Sequence, residues 1–349
     1  MKPKKTDAVS RREVLQSAGG LFAGTMVGKL WGIASANTPQ KRPVLGSGAH
    51  TYEVYHDWIT PPSNMIFGDT HGLCQDSKGH IYLAQTVNPA SVSSDGVCVY
   101  DEKGKFVKSW GAEFRGGAHG LDIRKEGSDE FLYHCDTRRR VIVKTTLDGK
   151  TVWQKGMPTE PEVYKDEGQF CPTNVAFAPN GDLYVGDGYG SSYIHRYTKD
   201  GEYKSLIAKP GAGEGQVSCP HGLWVDDRDG DPKLVVADRS NRRLQYFTLD
   251  GKHVKFVTEG MRLPCRMVLR GEEMLIPDLE SVVTIVDKSN KVVATLGDGH
   301  PSALRGATRD KFIPGKFIHP HGAIWLHNGD ILVCEWVPIG RVTLLKKMS

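Results

Sequence analysis

Short runs of apolar residues, many alternating with polar ones, follow one another along the chain, and each ends at a turn rich in Gly, Asp or Asn. The clearest stretch begins Cys219-Pro220-His221-Gly222-Leu223-Trp224-Val225. It passes through an Asp- and Gly-rich turn to Leu234-Val235-Val236-Ala237-Asp238, then to Asn241-Arg242-Arg243-Leu244-Gln245-Tyr246-Phe247, and closes on Leu249-Asp250-Gly251-Lys252. Apolar runs of this length between such turns read as strands joined by tight hairpins.

The same phrase starts again at His71-Gly72-Leu73, His119-Gly120-Leu121, Pro172-Thr173-Asn174-Val175, Pro264-Cys265-Arg266-Met267 and Pro320-His321-Gly322-Ala323. Its key position is therefore held by His71, His119, Thr173, His221, Cys265 and His321, at steps of 48, 54, 48, 44 and 56 residues. A repeat of roughly 40–50 residues with three or four short strands predicts an all-β propeller, and six repeats predict six blades. The sixth repeat holds only three strand-like runs, 321–325, 330–334 and 341–346. Thr51-Tyr52-Glu53-Val54-Tyr55 alternates as a strand should, and is expected to supply the missing outer strand and close the ring, which removes exposed edges. The propeller is thus expected over 51–349, with insertions at 157–168 and 297–318 and an irregular linker over 37–50.

The segment before the linker has a different character. Lys2, Lys4, Lys5, Arg11 and Arg12 form a basic start, Leu21 to Ile33 is weakly apolar, and Ala34-Ser35-Ala36 has the small-x-small form of a cleavage site. Ser10-Arg11-Arg12-Glu13-Val14-Leu15 resembles the twin-arginine export signal of bacteria. The expectation is a signal peptide over 1–36 and a periplasmic or secreted product. Six of the 45 Lys and Arg and two of the 41 Asp and Glu lie in this segment, so 39 of each remain and the mature chain is neutral. Its charge gives no reason to expect nucleic acid, and no later stretch is apolar enough to span a membrane. Seven cysteines, an odd number with no CxxC pair, leave at least one thiol unpaired. A Cys171–Cys219 bridge and buried thiols are both open.

Innermost strands line a propeller's channel, so the six key positions form a ring. Alternate members stand roughly 120° apart by six-fold closure. His119, His221 and His321 lie in blades 2, 4 and 6 and converge on one axial point with an open side, the layout of a catalytic metal site with three protein ligands. His71 is a fourth candidate. Cys265 is a less suited one, because a thiolate changes the character of the site. Histidine as mere repeat consensus is the plain alternative.

The repeats resemble NHL repeats over nearly all of residues 65–347. More specifically, Ala118-His119-Gly120-Leu121, Pro220-His221-Gly222-Leu223 and Pro320-His321-Gly322-Ala323, spaced by 102 and 100 residues, resemble the zinc-binding motifs of peptidyl-α-hydroxyglycine α-amidating lyase. Asp187-Gly188-Tyr189, Ala237-Asp238-Arg239 and Phe170-Cys171-Pro172-Thr173 match further motifs of that family. The resemblance implies lyase-type cleavage of a small or peptide-derived substrate to an amide and glyoxylate. It implies Tyr189 as general base and Arg239 as the holder of a substrate carboxylate. It implies a divalent metal, zinc first, whereas iron or copper would go with a four-histidine redox site of His71, His119, His221 and His321. The chain departs from the family in four places. Ala84-Gln85-Thr86-Val87 lacks an arginine, His319 stands for a methionine, His71 is added, and Gly322 stands where an aspartate helps hold calcium, so calcium is not expected. A non-catalytic propeller binding a protein, peptide or glycan, and a four-histidine redox enzyme, are the competing readings.

Overall fold

The computed structural model describes residues 41–300 and 303–348. The expected signal peptide and the first residues of the linker lie outside them. Six antiparallel sheets follow one another around an axis. Their innermost strands are Thr70–Gln75, Ala118–Glu126, Asn174–Phe177, Pro220–Asp226, Val268–Arg270 and Pro320–Trp325, one for each repeat. Among the described residues no helix is long and apolar enough to cross a membrane.

Ring closure is made as the alternation of Thr51–Tyr55 requires. His50–Tyr55 pairs antiparallel with Arg341–Lys347, the third strand of blade 6, in the register Tyr52↔Lys347 and Tyr55↔Leu344. Tyr52 and Val54 point inward and are buried, while their neighbours are partly exposed. The linker is a point of difference. Val44–Ser47 is a strand rather than irregular chain, paired with His50–Tyr55 through a hairpin, so blade 6 has five strands. Its side chains are largely exposed, and the free edge of the closing strand is what orders it. Blade 3 also gains a fifth strand, Gln216–Val217, in parallel pairing.

Apolar side chains pack between neighbouring blades. Leu73 and Leu83 of blade 1 lie against Ile324, Leu332 and Val342 of blade 6. Tyr184 of blade 3 shares a cluster with Leu223 and Phe247 of blade 4. Each such side chain contributes about 1.5–3 kcal/mol when taken from water. Every blade thus depends on two neighbours, and the inner strands are held at fixed angles around the axis. All seven cysteines are free; six are buried, and the Cys171–Cys219 bridge does not form.

Candidate metal centre on the propeller axis

The His-Gly pair explains how the rings are aimed. A Cβ on Gly120 would stand 2.4 Å from the Thr173 carbonyl oxygen, one on Gly222 2.3 Å from that of Cys265, and one on Gly322 2.5 Å from that of His71. Only glycine lets the neighbouring blade come so close. Those same carbonyls accept from the histidines. The Nδ1 of His119 donates to Thr173 O at 2.8 Å, that of His221 to Cys265 O at 2.8 Å, and that of His321 to His71 O at 3.1 Å. Committing Nδ1–H to a carbonyl fixes the tautomer and turns each Nε2 lone pair toward the axis, as metal-binding imidazoles require. The three rings form a nearly equilateral triangle, with centroids 4.9, 4.8 and 4.7 Å apart and planes crossing at 76–90°.

The other ring members differ. His71 directs Nδ1 at Nε2 of His321, 3.3 Å away, instead of at a carbonyl. Its ring lies 4.6 Å from that of His119. Donor atoms of His71, His119 and His321 fall within 4.8 Å of one another, and so do those of His221, Cys265 and His321. Thr173 keeps its hydroxyl on the carbonyls of Gly186 and Pro220. His319 lies outside the ring, donating Nδ1 to Leu279 O at 2.7 Å.

Burial first, and the nearby Arg239 charge with it, hold His119 down to about 4, although its bond to Thr173 opposes the shift. Burial likewise keeps His71, His221 and His321 well below the ordinary histidine range, helped by their mutual proximity. All four are neutral at pH 7, the form that binds a cation.

Tyr189 and Arg239 reach the same point from blades 3 and 4. The Tyr189 hydroxyl lies 2.9 Å from Nε2 of His221 and 3.2 Å from Nε2 of His119. Tyr189 borders solvent as a residue, while its hydroxyl turns inward to the buried histidines. Arg239 donates to the hydroxyl at 3.4 Å and lies over the ring at 5.2 Å. Burial pushes the phenol up to about 12, and Arg239 opposes the shift.

A second ring escaped the sequence reading. The second strands of the six blades end in, or in blade 3 are directly followed by, Gln85, Asp136, Asp187, Asp238, Asp278 and Glu335, all buried. In five blades this residue accepts backbone N–H groups of the segment leading into its own blade: Gly68, Cys171, Ser218, Leu263 and Ile318. It therefore sets where the inner strand begins and where the ring residue sits. Its repeat was visible in the sequence as an acid or amide closing each Leu- or Val-rich run. Asp187 also anchors the turn of Tyr189 by accepting from Ser191 N at 2.7 Å. Tyr164, from the 157–168 insertion, donates to Asp187 at 2.9 Å and accepts from His195 Nε2 at 2.6 Å. No sequence signal linked these three.

Arg305 is the other missed residue. Its Nη2 donates to both oxygens of Asp69, at 2.9 and 3.0 Å, and its guanidinium stacks 3.7 Å over Trp336. Trp336 follows Glu335 as Arg239 follows Asp238, which sets it on the Tyr189 face of the ring. The Arg305 charge adds to the depression of His71.

The fold and site define a six-bladed β-propeller with a histidine-lined axis. No family model matches the chain. In sequence it is similar to the peptidyl-glycine alpha-amidating monooxygenase of Mus musculus, 29% identical over 242 residues, 62% of this chain and 24% of that protein. It is also similar to the peptidyl-alpha-hydroxyglycine alpha-amidating lyase 1 of Drosophila melanogaster, 26% identical over 240 residues, 60% of this chain and 42% of that protein. The matched region thus spans less than half the length of either relative. Among solved structures, a streptogramin B lyase superposes with a TM-score of 0.57 at 13% identity over 84% of this chain and 98% of its own, a likeness of fold.

Proposed function

We propose that this protein is an exported metal-dependent lyase that cleaves a small, carboxylate-bearing, peptide-derived substrate at the propeller axis, in the manner of the amidating lyases it resembles. The observation that carries the reading is the set of three imidazoles in alternate blades. Each has Nδ1 bound to a carbonyl of the next blade, and the Tyr189 hydroxyl stands between two of the free nitrogens. The donor chemistry fits a divalent ion, since neutral nitrogen donors in a buried, water-poor ring suit zinc. His119, His221 and His321 would hold it, with His71 beside them. When bound, such an ion supplies Lewis acidity that makes a hydroxyl easier to deprotonate.

The chain's own groups do the rest. For an N-acyl-α-hydroxyglycine, Tyr189, whose phenol a bound ion would bring down from about 12, takes the proton of the carbinol hydroxyl as phenolate, the carbonyl of glyoxylate forms, and the C–N bond breaks. Tyr189 returns that proton to the departing nitrogen, which leaves as the amide. Arg239, donating toward Tyr189, favours the phenolate and is placed to hold the substrate carboxylate. Arg305 offers the second cationic group that Gln85–Thr86 lacks, from a different segment of the chain. The drawing together of His71 and His321 at 3.3 Å supports a second reading, a redox metal held by four histidines.

The test is direct. Protein purified from the exported fraction is assayed for metal by elemental analysis and for release of glyoxylate from N-benzoyl-α-hydroxyglycine. One zinc per chain and stoichiometric amide and glyoxylate are expected, both lost in His119→Ala. Metal-loaded protein that releases no glyoxylate defeats the lyase reading, and bound iron or copper favours the second one.

A further inference from the structure

We propose that the Cys265 thiolate is a fourth protein ligand of the axial ion, so that the donor set is three imidazole nitrogens and one sulfur. The proposal rests on the metal reading above and adds a ligand that the resemblance does not imply. Cys265 holds the ring position in blade 5, between His221 and His321. Its Sγ and one ring nitrogen from each of those histidines lie within 4.8 Å of one another. Around a tetrahedral ion with bonds of about 2.1 Å to nitrogen and about 2.3 Å to sulfur, neighbouring donors stand roughly 3.4–3.7 Å apart. Closing the His221, His321 and Cys265 part of the set therefore takes an approach of at most about 1.1–1.4 Å, within the reach of side-chain rotations.

The surroundings of the sulfur support the assignment. Cys265 is 1% exposed, and its only protein neighbours in hydrogen-bonding range among the described residues are the Leu263 carbonyl at 3.6 Å and Arg239 Nη1 at 4.0 Å. Neither is a strong partner, so the sulfur is not committed elsewhere, unlike the Thr173 hydroxyl. The guanidinium complements the charge a thiolate would carry. The backbone of the same residue already orients a ligand, since Cys265 O accepts from His221 Nδ1. Binding replaces the S–H bond by a metal–sulfur bond and releases one proton to solvent. The Tyr189 side stays available for a substrate oxygen as a fifth ligand, a coordination number that zinc sites reach during reaction. A thiolate in the set selects soft ions over magnesium or manganese.

Cobalt(II) is the probe. Full-length mature protein is stripped of metal and loaded with one equivalent, with binding read by equilibrium dialysis and folding by circular dichroism. The expected result is a sulfur-to-cobalt charge-transfer band in the near ultraviolet, lost in Cys265→Ser with cobalt retained, and kept in Cys219→Ser. Bound cobalt without that band, or a band that survives Cys265→Ser, overturns the proposal and leaves the imidazole site standing. No cobalt bound to the wild type overturns the metal reading itself. X-ray absorption of the zinc form needs no variant: one sulfur at about 2.3 Å is expected beside nitrogens at about 2.0–2.1 Å, and a nitrogen-only shell refutes the thiolate.

Discussion

Arg266 gives the sharpest test of how the axis is built. It follows Cys265 in the ring and sends its guanidinium across the channel from blade 5. Nη1 donates to Leu73 O at 3.1 Å in blade 1 and to Leu121 O at 3.0 Å in blade 2, and Nη2 pairs with Asp122. Asp122 accepts from Asn174 of blade 3 at 2.7 Å, and Asn174 accepts from Leu223 N of blade 4 at 2.8 Å. One polar chain thus links five blades next to the histidines, with Arg266 and Asp122 both buried. Arg266→Met keeps the apolar stem and strands the carboxylate. Removing one partner of a buried pair costs about 3–5 kcal/mol. For a domain of this size that lowers the melting temperature by about 5–8 °C. Asp122→Asn added to Arg266→Met removes the stranded charge and is expected to restore about half of the loss. The pH sign follows from Asp122, which burial raises to about 6 against the pull of Arg266 and Asn174. Without the guanidinium its pKa rises further. The folded variant then holds a proton that the unfolded chain releases above about pH 4, so stability is lost as pH rises through and beyond 6. The gap between variant and wild type, read by thermal unfolding followed by circular dichroism, should widen from pH 5 to pH 8. A gap independent of pH, together with a double variant no better than the single, would refute the reasoning.

Three further outcomes are expected. Tyr189→Phe should keep the metal and lower kcat on N-benzoyl-α-hydroxyglycine by about 10²–10⁴, the usual contribution of a positioned base, and an unchanged kcat would remove Tyr189 from the chemistry. Arg305→Gln should raise KM about 10- to 100-fold with kcat little changed, the cost of one charge-assisted hydrogen bond; an effect on folding alone would make Arg305 a structural partner of Asp69. Arg11→Lys with Arg12→Lys should leave precursor in the cytoplasm on cell fractionation, and unaltered export would show that Ser10–Leu15 is not a twin-arginine signal.

The blade count and the ring were legible because both are periodic. One residue type recurs at one place in a repeated phrase, and a propeller converts that into a circle. The closing strand was legible for the same reason, since Thr51–Tyr55 alternates and blade 6 lacks a strand. Val44–Ser47 was not, because its residues are mostly exposed and its order comes from the edge it pairs with. The acid or amide that closes each second strand was present in the sequence but hidden by its variety, since Gln85 and Glu335 hold the lead-in segment as Asp187 does, while Asp136 accepts from Arg139 N in the turn that follows. Arg305 and Tyr164 sit in insertions without periodicity. Only the folded chain brings Arg305 to Asp69 and Tyr164 to Asp187.

The alternation of blades also bears on whether the histidines are repeat consensus. If they were, each would use its neighbour's carbonyl in the same way. His119, His221 and His321 do, and their acceptors are the carbonyls of Thr173, Cys265 and His71 in blades 3, 5 and 1. His71 has the same Gly after it, and a Cβ there would stand 2.8 Å from the His119 carbonyl, so the same bond was geometrically on offer. It faces His321 instead. Even blades therefore carry imidazoles with Nε2 turned inward, and odd blades carry the acceptors that hold them. That division frees the side chains of the odd blades from orienting work. His71 and Cys265 can then serve as additional donors without disturbing the three rings whose aim depends on their backbones.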